Sequence, residues 1–118
     1  MDPSAAAVLS MSALAHEGRL TVFRLLIQAG SEGMAAGDIA RATGAPPSTL
    51  STNLNILSGA ALIASRREGR SIIYTAAYER MRDLLAFLME DCCAGRPEIC
   101  APLVLVASQP CAAEGRTC

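Results

Sequence analysis

Three of the five cysteines, Cys92, Cys93 and Cys100, fall within one short stretch. Gly95 and Pro97 lie between them and permit a turn that would bring Cys100 back toward the vicinal pair. Three thiolates form a soft, trigonal donor set. That set suits trivalent arsenic (arsenite) or antimonite, whereas zinc normally takes four ligands. A fourth thiolate from Cys111 or Cys118 would turn the preference toward zinc, cadmium or lead. Oxidation of the same cluster to a disulfide would instead make a redox sensor. Neighbouring residues of an intact helix point about 100° apart, so Cys92 and Cys93 need a bend to share one ion. Cys92 also continues the Leu85–Leu88 stripe and would serve equally as a small core residue. A thiol enzyme is not expected. No basic or histidine-containing neighbourhood favours a thiolate nucleophile here, and Glu90 and Asp91 oppose one.

A second constellation lies in the middle of the chain. Ser48, Ser51, Thr52 and Asn55, with Thr49 beside them, form an uncharged set of short hydrogen-bonding side chains. Serine and threonine can bond phosphates or bases, and asparagine can bond adenine through two contacts. Arg66, Arg67 and Arg70 then flank a Glu68–Gly69 turn, gathering three guanidinium groups where a solvated tip is usually of mixed charge. Such a tip suits phosphate or the minor groove.

The elements that must position these groups are legible from periodicity. Residues 4–16 are alanine-rich, with Val8, Met11 and Leu14 on one helical face. Leu20, Phe23, Leu26 and Ile27 continue at helical spacing and stop at Gly30. Residues 33–37 read as a turn. A short helix over 38–43 follows, with Asp38 as its N-cap, and Gly44 ends it. Pro46 and Pro47 open a helix over 47–59, in which Leu50, Leu54 and Leu57 make the buried stripe. The period then changes to that of strands over 62–67 and 70–75. Helical spacing returns over 78–91, with Met81, Leu84, Leu85 and Leu88 on one face. His16 reads as a surface or capping residue. The expected fold class is mainly α with a small β-hairpin (α+β): helix, helix, helix, helix, hairpin, helix. The pair of short helices joined through 43–46 has helix-turn-helix spacing, and the hairpin is its wing. Residues 1–94 form the expected domain, with a loosely ordered tail over 95–118.

Bulk properties agree with one domain. The chain has 118 residues and is 52% hydrophobic, which argues against disorder of the whole chain. Aromatic content is 3%, too low for a platform that stacks single-stranded nucleic acid. Net charge is −1, but it is unevenly placed. Residues 39–76 carry a net +3 and residues 79–98 a net −2. Every basic residue is arginine, which suits bidentate contacts to phosphate and base; a GC-rich genome would give the same bias. No secretory signal pattern is present, and the apolar run 103–107 is far too short to span a bilayer. A cytoplasmic location, with thiols reduced, is the expectation.

Taken in order, these residues resemble the ArsR/SmtB winged-helix metalloregulators. The resemblance runs from about Leu14 to Cys93 and rests on Ala13-Leu14-Ala15-His16-Glu17-Gly18-Arg19-Leu20, on Ser48-Thr49-Leu50-Ser51-Thr52-Asn53-Leu54-Asn55-Ile56-Leu57, and on Arg66-Arg67-Glu68-Gly69-Arg70 with Tyr74. It implies a homodimer built from the first and last helices, repression of operator DNA without inducer, and release of the duplex on binding a soft metal or metalloid. Founding members place a cysteine pair on the helix before the recognition helix, and that helix has none here. Others carry a C-terminal vicinal pair plus a third cysteine that answer to trivalent arsenic, and this chain is similar to those. The interhelical zinc site of some relatives would fall near Asp83 and Glu90, but the histidine partners it needs are missing. Two departures from the family pattern stand out. Asn53 replaces a frequent histidine, which would alter operator preference, and Ala61-Leu62 replaces a frequent Gly-Leu.

Overall fold

A computed structural model describes residues 2–90 together with Glu98 and Pro102. The first helix, α1 (Pro3–Leu14), starts on a proline that fits the first turn. Its buried face is Ala7, Ser10 and Ala13; of the Val8, Met11 and Leu14 stripe read from the sequence, Leu14 packs against the core. The small residues let α1 lie close against the last helix, α5 (Tyr78–Met89), with which it packs. Val8 and Met11 face outward, and Val8 is 59% exposed.

Helix α2 (Glu17–Ala29) is capped by His16, whose Nδ1 accepts from the backbone N–H groups of Gly18 (3.1 Å) and Arg19 (3.4 Å). Arg19 Nε donates to the Ala13 carbonyl at 2.6 Å, satisfying an acceptor that the end of α1 leaves open. Val22, Phe23 and Leu26 are buried, while Leu20, expected on the same face, is exposed.

The stretch read from sequence as a turn holds a third strand. After a single 3₁₀ turn, Gly30–Glu32, β1 (Met34–Ala35) pairs antiparallel with the second hairpin strand, β3 (Ser71–Ala76), Met34 opposite Tyr74 and Ala35 opposite Ile73. Two residues are too few to show a period of two. Gly33 makes the pairing possible. Its φ is +70°, and a Cβ there would stand 2.3 Å from the Tyr74 carbonyl oxygen, so only glycine fits.

Helix α3 (Ala36–Thr43) begins two residues before the expected start. Asp38 therefore lies inside the first turn, where it pairs with Arg41 and favours the helix dipole without capping it. Gly44 ends α3 in the left-handed region (φ 70°), its N–H donating to the Ala40 carbonyl at 2.8 Å. Helix α4 (Pro47–Gly59) matches expectation and buries Leu50, Leu54 and Leu57. Strands β2 (Ile63–Glu68) and β3 (Ser71–Ala76) form the hairpin, with Glu68 opposite Ser71. The loop is thus Gly69–Arg70, one residue later than expected, with Gly69 at φ 61°. A glycine in the first loop position suits a type II′ turn. The sheet order is β1-β3-β2, and no helix among the described residues is long and apolar enough to cross a membrane.

Val22, Leu26, Ile39, Leu57 and Leu62 are almost completely buried where α2, α3, α4 and the sheet meet. Each contributes about 1.5–3 kcal/mol on removal from water. Helix α5 (Tyr78–Met89) adds Leu84 to the interior, and Met81 packs against the core. Leu85 and Leu88, expected on that face, are 48% and 51% exposed. The expected boundary between residues 1–94 and 95–118 falls outside the described residues.

Candidate nucleic-acid interface

Residues Thr43 to Pro46 join α3 to α4. Thr43 Oγ1 donates to the Ile39 carbonyl (2.9 Å) and accepts from the Ala45 N–H (3.3 Å), so one side chain closes α3 and fixes the exit of the chain. Pro46 then precedes α4 without any side-chain cap, and no acidic residue lies in the first turn of α4. The N–H groups of Ser48 and Thr49 are left for an external acceptor, and the positive end of the helix faces that acceptor.

The buried leucines of α4 force the opposite side outward. Ser48, Thr49, Ser51, Thr52 and Asn55 are all exposed. Thr52 Oγ1 donates to the Ser48 carbonyl at 3.0 Å, so Thr52 presents lone pairs and a methyl group. Asn53 differs from what the sequence suggested. It is 5% exposed and turned toward α2, where its Nδ2 lies close to Gly18, so it does not stand among the outward residues of α4. Sequence reasoning missed this contact because burial of one amide between two helices leaves no periodic signal.

The hairpin presents its arginines in two ways. Arg67 and Arg70 are exposed and form no ion pair among the described residues. Arg66 is held by three partners. Its Nε donates to Glu68 Oε1 (3.0 Å), and its two terminal nitrogens donate to the carbonyls of Ser31 (3.1 Å) and Glu32 (2.8 Å). Alternation along β2 puts Arg66 and Glu68 on one face and Arg67 on the other.

Cys92, Cys93 and Cys100 lie outside the described residues, as do Cys111 and Cys118. Among the described residues no group of three or more His, Cys, Asp or Glu side chains could hold a metal ion. Asp83 and Glu90 line a cavity of about 650 Å³ between α1 and α5, together with Arg80, Leu84 and Phe87.

Residues 14–66 match the model of a family described as a helix-turn-helix domain. The chain is 34% identical over 83 residues to the HTH-type transcriptional regulator YgaV of Escherichia coli (strain K12), covering 70% of this chain and 82% of the relative. A solution structure from Mycobacterium bovis, the homodimeric winged helix-turn-helix DNA-binding domain Mb0332, described as a possible ArsR-family transcriptional regulator, is 34% identical. It has a TM-score of 0.58 and covers 76% of this chain and 80% of its own. The chain belongs to the ArsR-like winged helix-turn-helix transcriptional regulators. An ArsR-like regulator from Rhodococcus sp. RHA1 shares the fold, with a TM-score of 0.71 at 20% identity over 92% of this chain and all of its own. These are DNA-binding regulators and not enzymes. Their winged helix-turn-helix assigns the roles of the elements here: α3 and α4 form the motif, and β2 and β3 form the wing.

Proposed function

We propose that this regulator is a homodimeric repressor that holds operator DNA through α4 and the wing and releases it when trivalent arsenic or antimony binds Cys92, Cys93 and Cys100. The observation that carries the DNA half is the exposure of Ser48, Thr49, Ser51, Thr52 and Asn55 on α4, with Arg67 and Arg70 unpaired among the described residues. In a helix-turn-helix the N-terminal part of the second helix meets base edges in the major groove. Hydroxyl and amide groups there fit base and phosphate contacts. The wing arginines fit phosphate or a narrow minor groove.

The arsenic half rests on the chemistry of the donor set. Three thiolates match a soft trivalent ion better than they match zinc. In sequence they follow directly on α5, whose Leu85 and Leu88 face outward. Ordering a ligand site next to a dimer-forming helix would alter the separation of the two recognition helices. That separation must match half-sites about 34 Å apart. A coupling of about 1–3 kcal/mol would weaken operator binding roughly 5- to 150-fold.

The test is an operator-release titration with arsenite, methylated arsenite, antimonite, cadmium and zinc under full reduction. It is repeated with Cys92→Ser, Cys93→Ser and Cys100→Ser. Release by arsenite that each change abolishes supports the reading. An arsenite response that survives all three changes overturns the site. Release by peroxide without metalloid, and none by arsenite, identifies a thiol redox sensor instead.

A further inference from the structure

We propose that Arg66 acts as a positioning residue, one that fixes the angle of the wing so that Arg67 and Arg70 reach DNA, without contacting DNA itself. The inference rests on the reading of the wing as a DNA contact. Arg66 links its own strand to a distant turn through three hydrogen bonds. Its fork donates to the carbonyls of Ser31 and Glu32, 35 and 34 residues earlier in the chain, while Nε donates to Glu68 on the same strand. Those carbonyls belong to the 3₁₀ turn that links α2 to β1 and so leads into the helix-turn-helix. Arg66 therefore ties the wing to the segment that carries the reading helices.

The place of this tie along the hairpin matters. Arg66 sits opposite Ile73, and Ile73 is also paired with Ala35 of β1. That is the last rung at which the sheet has three strands. Beyond it, Arg67, Glu68, Ser71 and Ile72 belong to a two-stranded ribbon, and isolated two-stranded ribbons are weakly held. The three-point anchor stands at the hinge of that ribbon. A planar guanidinium suits this task because its fixed fork fits several acceptors at once, which an ammonium group does not. The Nε contact pairs Glu68, the acidic residue of the wing that would otherwise repel phosphate. Arg67 and Arg70 remain as the outward cations.

The test uses the full-length dimer and a duplex selected by the wild-type protein from randomised DNA. Affinity is measured across a series of potassium chloride concentrations for Arg66→Ala, Arg66→Lys, Arg67→Ala/Arg70→Ala, and the triple change. The double change should weaken binding and flatten the logarithmic salt dependence by about 0.9 per lost phosphate contact. Arg66→Ala should weaken binding about tenfold in the wild-type background and by less than about twofold once Arg67 and Arg70 are gone, since coupled residues are not additive. Arg66→Lys, which keeps the charge but loses the fork, should behave like Arg66→Ala. Amide exchange at the tip of the hairpin should rise in both single variants. A loss of folding stability would carry over undiminished into the background lacking Arg67 and Arg70, so it cannot produce this pattern. Further weakening and further flattening in the triple variant would make Arg66 a direct phosphate contact and overturn the proposal, as would wild-type behaviour of Arg66→Lys. A double change that leaves both affinity and salt dependence untouched would remove the wing from the DNA contact altogether, which is a distinct failure.

Discussion

Gly18 and Asn53 meet where the start of α2 lies against α4: a Cβ built on Gly18 would stand 3.0 Å from Asn53 Nδ2. The His16 ring closes the other side at 3.2 Å. Alanine favours a helix over glycine by about 1 kcal/mol, so Gly18→Ala would stabilise an open site. Here Asn53 is buried and has little room to withdraw. Gly18→Ala should therefore destabilise the protein by about 1 kcal/mol, the order of cost of mild overpacking. In an Asn53→Ala background the penalty should shrink toward zero, since only the His16 ring still crowds the new methyl. Denaturant unfolding at fixed protein concentration measures both, and a stabilising Gly18→Ala in the wild-type background would contradict the contact.

Ala61 has φ 60°, the only non-glycine residue among the described ones with positive φ. The left-handed region costs an L-residue with a Cβ roughly 1–2 kcal/mol. Glycine removes that strain but loses more freedom on folding, about 0.4–1 kcal/mol. The balance favours Ala61→Gly by about 0.5–1 kcal/mol, read as a higher thermal midpoint. The position is exposed and at the end of α4, so operator affinity should be unchanged.

The recognition helix was legible in the sequence because one signal governs it. Leu50, Leu54 and Leu57 repeat at helical spacing, and their burial dictates which side Ser51 and Asn55 take. On α1 and α5 the same logic finds a stripe without saying what lies against it. Val8, Leu85 and Leu88 follow helical spacing as well, yet they face outward in the single chain. Periodicity finds an apolar stripe but does not say what covers it. Strand β1 escaped because two residues carry no period, and Gly33 reads as a turn until its neighbours are known. The division of the wing arginines also lay beyond sequence. Arg66 and Arg67 are adjacent and alike in type, and only the pleat together with the distant carbonyls of Ser31 and Glu32 separates them.

Tyr78 Oη donates to the Ile27 carbonyl at 2.7 Å, joining the first residue of α5 to the last turn of α2. That carbonyl has no helical donor of its own, because α2 stops at Ala29. Tyr78→Phe keeps the ring and removes the bond. The loss should cost about 0.5–1.5 kcal/mol, toward the lower end because Tyr78 is partly solvated. Amide exchange should rise first in the opening turn of α5. Unchanged stability and exchange would show that the bond contributes nothing.

Asn55 stands on the outward side of α4, and its amide is not bonded to any described residue through a side-chain hydrogen bond. If it reads a base edge, Asn55→Ala should reduce discrimination at one operator position by about 1–3 kcal/mol. The salt dependence of binding should stay the same, since no phosphate contact is lost. The Arg70→Ala variant should do the reverse, weakening all sequences alike and flattening the salt dependence. Competition binding with single-base operator variants separates the two. Equal loss on every duplex for Asn55→Ala would remove it from base reading.

Leu85 and Leu88 lie on the exposed side of α5, and Val8, Leu9 and Met11 lie exposed on α1, the helix packed beside it. A chain that stayed single would leave these apolar side chains in water at a cost of about 25 cal/mol per Å², and apolar side chains left exposed on packed helices suit an association surface. A homodimer is described for the Mycobacterium bovis domain that this chain resembles. Leu85→Glu and Leu88→Glu each place a charge on that surface while leaving the core leucines untouched. Both variants should keep the helical content of the wild type and sediment as single subunits at concentrations where the wild type is a dimer. Operator affinity should fall together with dimerisation, because one subunit reaches only one half-site. A wild-type protein that sediments as a single subunit, or variants that remain dimeric, would place the interface elsewhere and separate the outward leucines from DNA binding.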